Sequence, residues 1–367
     1  MPTPRLTCPS RHVLCALSLG TLAIAAGCLE PAEGPSRREV LAHLADAVIV
    51  PGQARLASDA AALADKLAAV CVAYDPALHA DVQAAWRAVR ADWSVASAWA
   101  FGPVATQMQA GPLDFWPVRV DTIEAKIAEA PAKIDAAYID ALGTSAKGMP
   151  ALEYLLFTPD FLDAPDRARR CPYASALAAD IARRAEALSS AWDPAYAAAL
   201  ASAGDGSDIY TSEQAGLDAV VNATIENLYR MVKDKLDRPL GNLTGSDPDP
   251  EALESRFSGT TRDDLEANLR GFASVYLGAD GEPGGQPGLG ALVAARDPAL
   301  DDRILAQHGV ARDAIASVPE PFSKAIVEHR GDVQRARDEI DALRRLIKLD
   351  VASLLGVTLM LSDNDGD

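Results

Sequence analysis

Apolar residues recur along most of this chain at the spacing of one face of an α-helix. The clearest run alternates steps of four and three residues, which is the seam of a helix in a bundle. Its members are Val82, Trp86, Val89, Trp93, Ala96 and Ala100. The pattern predicts an amphipathic helix with its apolar face packed against other helices.

Similar periodicity predicts further helices on both sides of this one. A first helix is expected to begin at Ser36, a good N-cap, and to be kinked or broken at Pro51. Another helix is predicted for residues 119–141, and a shorter one from Pro150, since proline is favoured in a first turn. In the second half, a periodic segment ends near Arg238.

Composition supports an all-α fold. Alanine and leucine are abundant, aromatic residues make up 5%, and β-branched runs are rare. A chain of 367 residues can form two domains, and the Gly/Ser/Asp-rich segment 202–207 is the best boundary between them. We therefore predict two helical bundles, at residues 37–204 and 205–367.

The charge of the chain narrows the classes of partner. A formal net charge of −18 argues against binding to nucleic acid or to an anionic membrane surface. An acidic surface suits an exported protein or one that attracts cations, although surface acidity usually serves only solubility.

The N-terminus has the pattern of an export signal, predicted for residues 1–28. Arg5 and Arg11 precede a short apolar run, and Ala25-Ala26-Gly27-Cys28 resembles a bacterial lipobox, without its usual leucine. The alternative is simple cleavage after small residues. We predict lipid attachment at Cys28, a tether at residues 29–36, and a location on the periplasmic side of a bacterial membrane as an outer membrane lipoprotein. Lipid would then be the sole membrane anchor.

Two further cysteines, Cys71 and Cys171, follow Cys28 in the mature chain. Leftover cysteines commonly pair in an oxidising compartment, so a disulfide between them is predicted. The alternative is two separately buried thiols.

Glu153 is an acidic residue in an otherwise apolar stretch, Lys147–Phe157. One interpretation is that it only stabilises the start of its own helix, worth up to about 1 kcal/mol. The other is that it lines a polar cleft. In that case it needs a cationic partner.

The stretch G-M-P-A-L-E-Y-L-L-F resembles the signature of the imelysin family, G-x-H-x-x-E followed by aromatic and leucine residues. Gly148 and Glu153 match, and Pro150 replaces the histidine. Elements around Trp93 and Trp116 are also similar to the family. Further similar segments are Lys235–Gly241, Glu254–Ser258, Asp264–Gly271 and the C-terminal L-G-V-T-L-M-L-S-D-N-D-G-D.

The resemblance covers nearly all of the mature chain and implies two pseudo-symmetric helical bundles with a cleft between them. It also implies a link to iron uptake, and a peptidase activity is assigned to some members. The ligand would be a small molecule or metal ion in the cleft, with other iron-uptake components as partners. The predicted ligand-binding residues are Arg90, Trp93, Asp114, Trp116, Glu153, Arg256 and Ser258. Arg90 and Arg256 are the arginines on family-like stretches, so they are the candidate cationic partners of Glu153.

Familiar catalytic patterns are missing from the sequence. It has no H-E-x-x-H zinc motif, P-loop, dinucleotide fingerprint or G-x-S-x-G elbow. Ser255 has no nearby base in sequence. Asp114, Asp121 and Glu153 could form an all-oxygen cation site, although dispersed carboxylates in so acidic a chain are usually solvated.

Two function classes remain, a non-catalytic binding protein accessory to iron or metal uptake and a metallopeptidase. Pro150 removes a ligand that the peptidase would need to activate water. We therefore favour the binding protein, with no catalytic residue, no metal ligand and no cofactor assigned. Iron or another cation is the candidate if a cofactor is present.

Overall fold

The computed structural model describes residues 34–131, 133–158, 167–279 and 287–360. Every regular element in these ranges is helical, so the predicted all-α fold is confirmed. The helices are α1 (Arg37–His43), α2 (Val50–Val72), α3 (Pro76–Ala96), α4 (Pro103–Thr106), α5 (Ala110–Leu113), α6 (Val120–Glu129), α7 (Ala136–Ala141), α8 (Gly148–Phe157), α9 (Arg167–Ala191), α10 (Ala197–Ala201), α11 (Glu213–Arg230), α12 (Thr261–Leu277), α13 (Leu289–Ala294), α14 (Pro298–Ala316), α15 (Phe322–Glu328), α16 (Arg330–Arg345) and α17 (Ala352–Leu355).

Shorter helical segments connect some of these elements. The π-helical segments are Leu44–Ile49, Trp192–Tyr196, Met231–Asp237 and Leu346–Val351. The 3₁₀ turns are Ser97–Trp99, Thr144–Ala146 and Pro250–Ala252.

Pro51 does not end its helix. Ser36 caps α1 and forms a capping box with Glu39. A π-helical turn, Leu44–Ile49, then leads into α2, which carries Pro51 in its first turn. Proline has no amide N–H to donate, and a first turn tolerates this loss. The predicted kink or break is therefore replaced by a wider helical turn directly before the proline.

The single helix predicted for residues 119–141 is two helices. α6 ends at Glu129, and Pro131 follows in non-helical backbone. Asp135 then caps α7 with its carboxylate. Proline disfavours helical backbone in the residue before it, and a new N-cap restarts the helix.

Buried apolar side chains form two clusters. One lies among α2, α3, α6, α8 and α9, and the other includes α1, α11, α12 and the helices that follow. α3 contributes to both, because Val89 and Trp93 belong to the first cluster and Val95 to the second. Arg90 lies between Val89, which belongs to the first cluster, and Ala91, which packs against the second. The boundary at residue 204, the pseudo-symmetry and the cleft stay predictions.

A disulfide joins α2 to α9. Its partners are Cys71 and Cys171, with their Cα atoms 5.5 Å apart and 100 residues between them in sequence. In the chain-entropy model, closing a loop of this length stabilises a fold by roughly 4–5 kcal/mol.

Candidate functional site

Arg90 lies at the centre of a buried group of carboxylates, with 1% of its surface exposed. Its Nη1 donates to Oδ1 of Asp114 at 2.5 Å, and its Nε donates to Oδ2 of Asp264 at 3.3 Å. Its Nη2 forms an ion pair with Glu254. We call these four residues the arginine cluster. It connects α3 to α12 and to the loops that precede α6 and α12.

The charges in the arginine cluster shift one another's pKa values. Burial alone would lower the pKa of Arg90, but the three carboxylates raise it well above its ordinary value. Burial raises the pKa of Asp264 to about 6, although Arg90 opposes the shift. Burial also acts to raise the pKa of Glu254, but Arg90 and Lys235 outweigh it and hold that pKa below its usual range. Arg90 is thus a permanent cation among the carboxylates.

Lys235 extends the cluster into a buried polar network. Its Nζ lies 2.7 Å from Oε2 of Glu254 and donates to Oδ1 of Asn268 at 2.7 Å. The Nδ2 of Asn268 donates to Oδ1 of Asn227 at 3.1 Å and to the carbonyl oxygen of Ser94 at 2.8 Å. Buried polar groups are costly unless they are hydrogen-bonded. The network therefore fixes the positions of these side chains.

Asp114 is held by contacts on both of its oxygens. Oδ1 accepts from Arg90, and Oδ2 accepts from Nε1 of Trp93 at 2.8 Å. The carbonyl oxygen of Leu113, the preceding residue, lies against Gly148, which has a φ of +82°. A Cβ at this glycine would lie 2.6 Å from that oxygen. The glycine of the G-M-P-A-L-E stretch therefore allows the approach that places Asp114.

Glu153 connects α8 to the loop before α12. α8 begins at Gly148 rather than at Pro150, so Glu153 lies in the second turn and not at the end of the first. Its Oε1 accepts hydrogen bonds from the amide of Phe257 at 3.1 Å, and from the amide and the hydroxyl of Ser258, both at 2.8 Å. The residue is 1% exposed.

Burial also sets the ionisation of Glu153. It raises the pKa of the carboxyl to about 7, although the hydrogen bonds from Ser258 and the charge of Arg90 favour the ionised form. The predicted ion pair with Arg90 or Arg256 is not formed. Arg90 is occupied by the arginine cluster, and Arg256 pairs with the exposed Glu251. Backbone and hydroxyl donors take the place of a cation.

A cavity of about 270 Å³ opens beside the arginine cluster. We call it the Trp116 cavity. Three predicted ligand-binding residues line it, Trp93, Asp114 and Trp116, together with the cationic side chains of Arg230, Lys235 and Arg238, which were not predicted. Arg90, Glu153, Arg256 and Ser258 are not part of its lining. The structure thus divides the predicted site into the arginine cluster, the Glu153 contact and the cavity.

The side chains at this site do not fit a resident metal ion. Within the described ranges, no group of three or more His, Cys, Asp or Glu side chains is placed to hold one. Three carboxylates do converge, but they surround the guanidinium of Arg90, which supplies the positive charge between them. Asp121, considered with Asp114 and Glu153 as an all-oxygen site, is an exposed residue of α6.

The chain matches a known protein family over most of its length. The family model described as Imelysin matches residues 49–349, which is more than half of the chain. The chain belongs to the imelysin family.

Relatives of this imelysin-family chain match it over most of its length. "Iron-regulated protein A" of Synechococcus elongatus is 28% identical over 295 residues, which cover 78% of each chain. The crystal structure of an iron-regulated protein A precursor from Parabacteroides distasonis has a TM-score of 0.78 at 20% identity, covering 88% of this chain and 97% of that one. The crystal structure of an imelysin-like protein from Psychrobacter arcticum has a TM-score of 0.71 at 19% identity, covering 89% of this chain and 97% of that one. At these identities the two structures establish the fold alone.

Several polar residues of the imelysin-family site escaped the sequence prediction. They are Asn227, Lys235, Glu254, Asp264 and Asn268, which are all buried. Asp264 and Asn268 are four residues apart on α12, between apolar residues at helical spacing. A polar residue on an apolar helix face was the available signal, because burying one is costly without partners.

Some predictions concern residues that the structure does not describe. Cys28 and the preceding signal segment lie outside the described ranges, as does most of the predicted tether. None of the helices in the described part of the chain has the length and apolarity to cross a membrane.

Proposed function

We propose that this imelysin-family chain is a non-catalytic binding protein that is accessory to the uptake of iron or another metal. The observation that carries the proposal is the Trp116 cavity, which opens beside a rigid, charge-compensated polar network. Polar groups held in place before a ligand arrives lower the cost of binding it. Convergent polar groups at a concave pocket are the usual features of a small-molecule site.

The carboxylates beside the cavity favour binding over catalysis. Asp114 and Glu254 each use both oxygens for contacts within the protein. A catalytic base needs an oxygen within reach of the proton that it takes. These two side chains therefore support the site and leave recognition to the other lining residues.

The link to iron rests on the relatives. The Synechococcus elongatus protein, matched over 78% of this chain, is named iron-regulated protein A. We extend that association to this chain as part of the proposal. Other components of a metal-uptake system are its proposed partners.

We also propose that the protein is exported, lipid-anchored at Cys28, and located on the periplasmic side of the outer membrane. The N-terminal pattern supports this location, with Arg5 and Arg11 before an apolar run that ends at Cys28. A lipid-anchored chain could meet its ligand in the periplasm without spanning the membrane.

Iron accumulation in cells tests the proposed function. A strain that lacks the gene should accumulate less radioactive iron under iron limitation, and wild-type protein should restore accumulation. The Arg90→Met protein should restore less iron accumulation than the wild type, because the substitution breaks the network beside the cavity. Arg87→Met, on the same helix but exposed, is the matched control and should restore fully. Unchanged accumulation in the deletion strain, for iron and for other transition metals, would contradict an uptake role.

A metallopeptidase is the alternative function. The observation in its favour is Glu153, since a carboxyl with a pKa of about 7 suits proton transfer near neutral pH. Against it, Pro150 supplies no metal ligand. Incubating the purified protein with casein, with and without a chelator, separates the two functions. Chelator-sensitive cleavage that is lost in Glu153→Gln would favour the peptidase.

A further inference from the structure

We propose that the Trp116 cavity binds a small organic anion through its carboxylate groups, and that it does not bind a bare metal ion. The anion could arrive free or as an anionic metal chelate, and both present the same carboxylate chemistry to the protein. This inference rests on the proposed binding function and specifies the class of its ligand.

Two of the three acidic residues that line the cavity, Asp114 and Glu254, have little capacity left for a cation. Oδ1 of Asp114 accepts from Arg90 and Oδ2 from Trp93. Oε1 of Glu254 is paired with Arg90 and Oε2 with Lys235. A metal ion would have to displace these partners, and breaking a buried ion pair leaves an uncompensated charge.

The cationic side chains, in contrast, retain free donors. Lys235 is buried and uses two of the three N–H groups of its ammonium, on Glu254 and Asn268. Arg230 contacts Glu226 at 3.5 Å and Asp234 at 3.9 Å, beyond ordinary hydrogen-bond length.

Arg238 completes the cationic lining. It lies 3.5 Å from the same Asp234, which also lines the cavity, so two guanidinium groups flank one carboxylate. A guanidinium has five N–H donors in a planar fork. Donors of Arg230 and Arg238 therefore remain for a ligand.

Carboxylate is an anion class that this lining suits. Arginine side chains bind carboxylates in a bidentate manner, with both geometric and charge complementarity. The guanidinium of Arg238 also lies over the ring of Trp116, 5.8 Å from its centroid. The ring offers an apolar wall for the ligand's carbon atoms. A cavity of about 270 Å³ restricts that ligand to a small molecule.

Isothermal titration calorimetry of the purified full chain tests this inference with three probes: citrate, ferric citrate and manganese chloride. We expect citrate or ferric citrate to bind one-to-one, with an affinity that falls as sodium chloride rises. Arg230→Gln and Arg238→Gln should each weaken binding about tenfold or more. Arg270→Gln is the matched control, because Arg270 is exposed and does not line the cavity.

A second pair of variants addresses the risk that glutamine disturbs the fold. Arg230→Lys and Arg238→Lys keep the charge and lose the bidentate fork, so they should weaken binding to an intermediate degree. Thermal unfolding of each variant shows whether the protein is intact.

Each outcome supports or overturns the inference. Tighter binding of ferric citrate than of citrate supports a chelate as the ligand, and equal binding supports the free anion. Binding of manganese alone, no binding of either citrate form, or anion binding that none of the arginine variants weakens overturns the inference. The cellular iron assay is separate, so citrate binding without an iron phenotype would reject the uptake role and keep the ligand class.

Discussion

Glu153 and Glu254 are both buried, and their surroundings shift their pKa values in opposite directions. Glu254 lies between the cations of Arg90 and Lys235, which lower its pKa despite burial. Glu153 receives only amide and hydroxyl donors, and burial raises its pKa to about 7. Amide dipoles compensate a buried negative charge less than a full positive charge does. The difference makes Glu153 the residue whose charge changes near neutral pH.

Glu153→Gln should change the pH dependence of stability. The folded-state pKa is raised from 4.5 to about 7, so this carboxyl's contribution to stability is present below pH 4.5 and is lost as pH rises through 7. Glutamine mimics the protonated carboxyl, because its oxygen can still accept from Phe257 and Ser258. The variant should match the wild type at pH 5 and exceed it at pH 8 by roughly 2–3 kcal/mol in urea unfolding.

Ser258→Ala is the comparison variant, and it should have the opposite effect. It removes a hydroxyl donor that favours the ionised form of Glu153. Its destabilisation should therefore be larger at pH 8 than at pH 5, and roughly 1.5–3 kcal/mol in size at the higher pH. If Glu153→Gln instead destabilises the protein equally at both pH values, the carboxyl is ionised throughout this range and its inferred pKa is wrong.

Arg90→Met should destabilise the protein strongly. It leaves Asp114, Glu254 and Asp264 close together without their shared cation, a change that typically costs about 3–5 kcal/mol. The loss of stability should shrink as pH falls. Arg90 lowers the pKa of Glu254 by stabilising its ionised form, and this stabilisation disappears once Glu254 is protonated. Arg87→Met, on the same helix and exposed, should cost about 1 kcal/mol or less. Equal losses of stability in the two variants would show that the arginine cluster stabilises the fold no more than an exposed arginine does.

α8 illustrates how far an element can be predicted from its own sequence. The apolar run and the two flanking breaks were enough to predict a helix there, but its start was predicted two residues too late. The helix begins at Gly148, which has a positive φ and contacts Pro112 and Leu113 in another segment of the chain. The sequence of α8 alone does not reveal those contacts. The partners of Glu153 were also missed, because they lie 104 and 105 residues away in a loop. Local pattern predicts elements better than it predicts such contacts.

Gly148→Ala should destabilise α8 and displace Asp114. The φ of +82° is unfavourable for alanine by about 1–2 kcal/mol. The new Cβ would also lie 2.6 Å from the carbonyl oxygens of Pro112 and Leu113. We expect a loss of at least about 2 kcal/mol in urea unfolding. Gly143→Ala is the control, because a Cβ at Gly143 would meet no atom within 4 Å and the φ of this residue is −62°. Similar small effects for both variants would contradict the close approach.

At the scale of the whole molecule, the all-α fold followed from composition and periodicity, and the imelysin resemblance followed from ordered motifs. The charge balance of the site did not follow from the sequence. A chain with a net charge of −18 gives no sign that one cavity is lined by Arg230, Lys235 and Arg238. These residues share two turns of a helical segment, but their common orientation depends on the π-helical segment Met231–Asp237. Such a segment changes the angular spacing that an α-helical pattern assumes.

Anchoring by lipid is a prediction about the whole molecule, and Cys28→Ser tests it. Under this prediction, membrane attachment depends on acyl chains at Cys28. Two or more acyl chains hold a protein stably on a bilayer, whereas one gives only marginal binding. The variant should therefore move from the membrane fraction to the soluble fraction, and mass spectrometry should show the loss of the lipid. Cys15→Ser is the matched control, since Cys15 lies within the predicted signal segment and should not alter fractionation. Retention of Cys28→Ser in the membrane fraction after a high-salt wash would show that another feature attaches the protein.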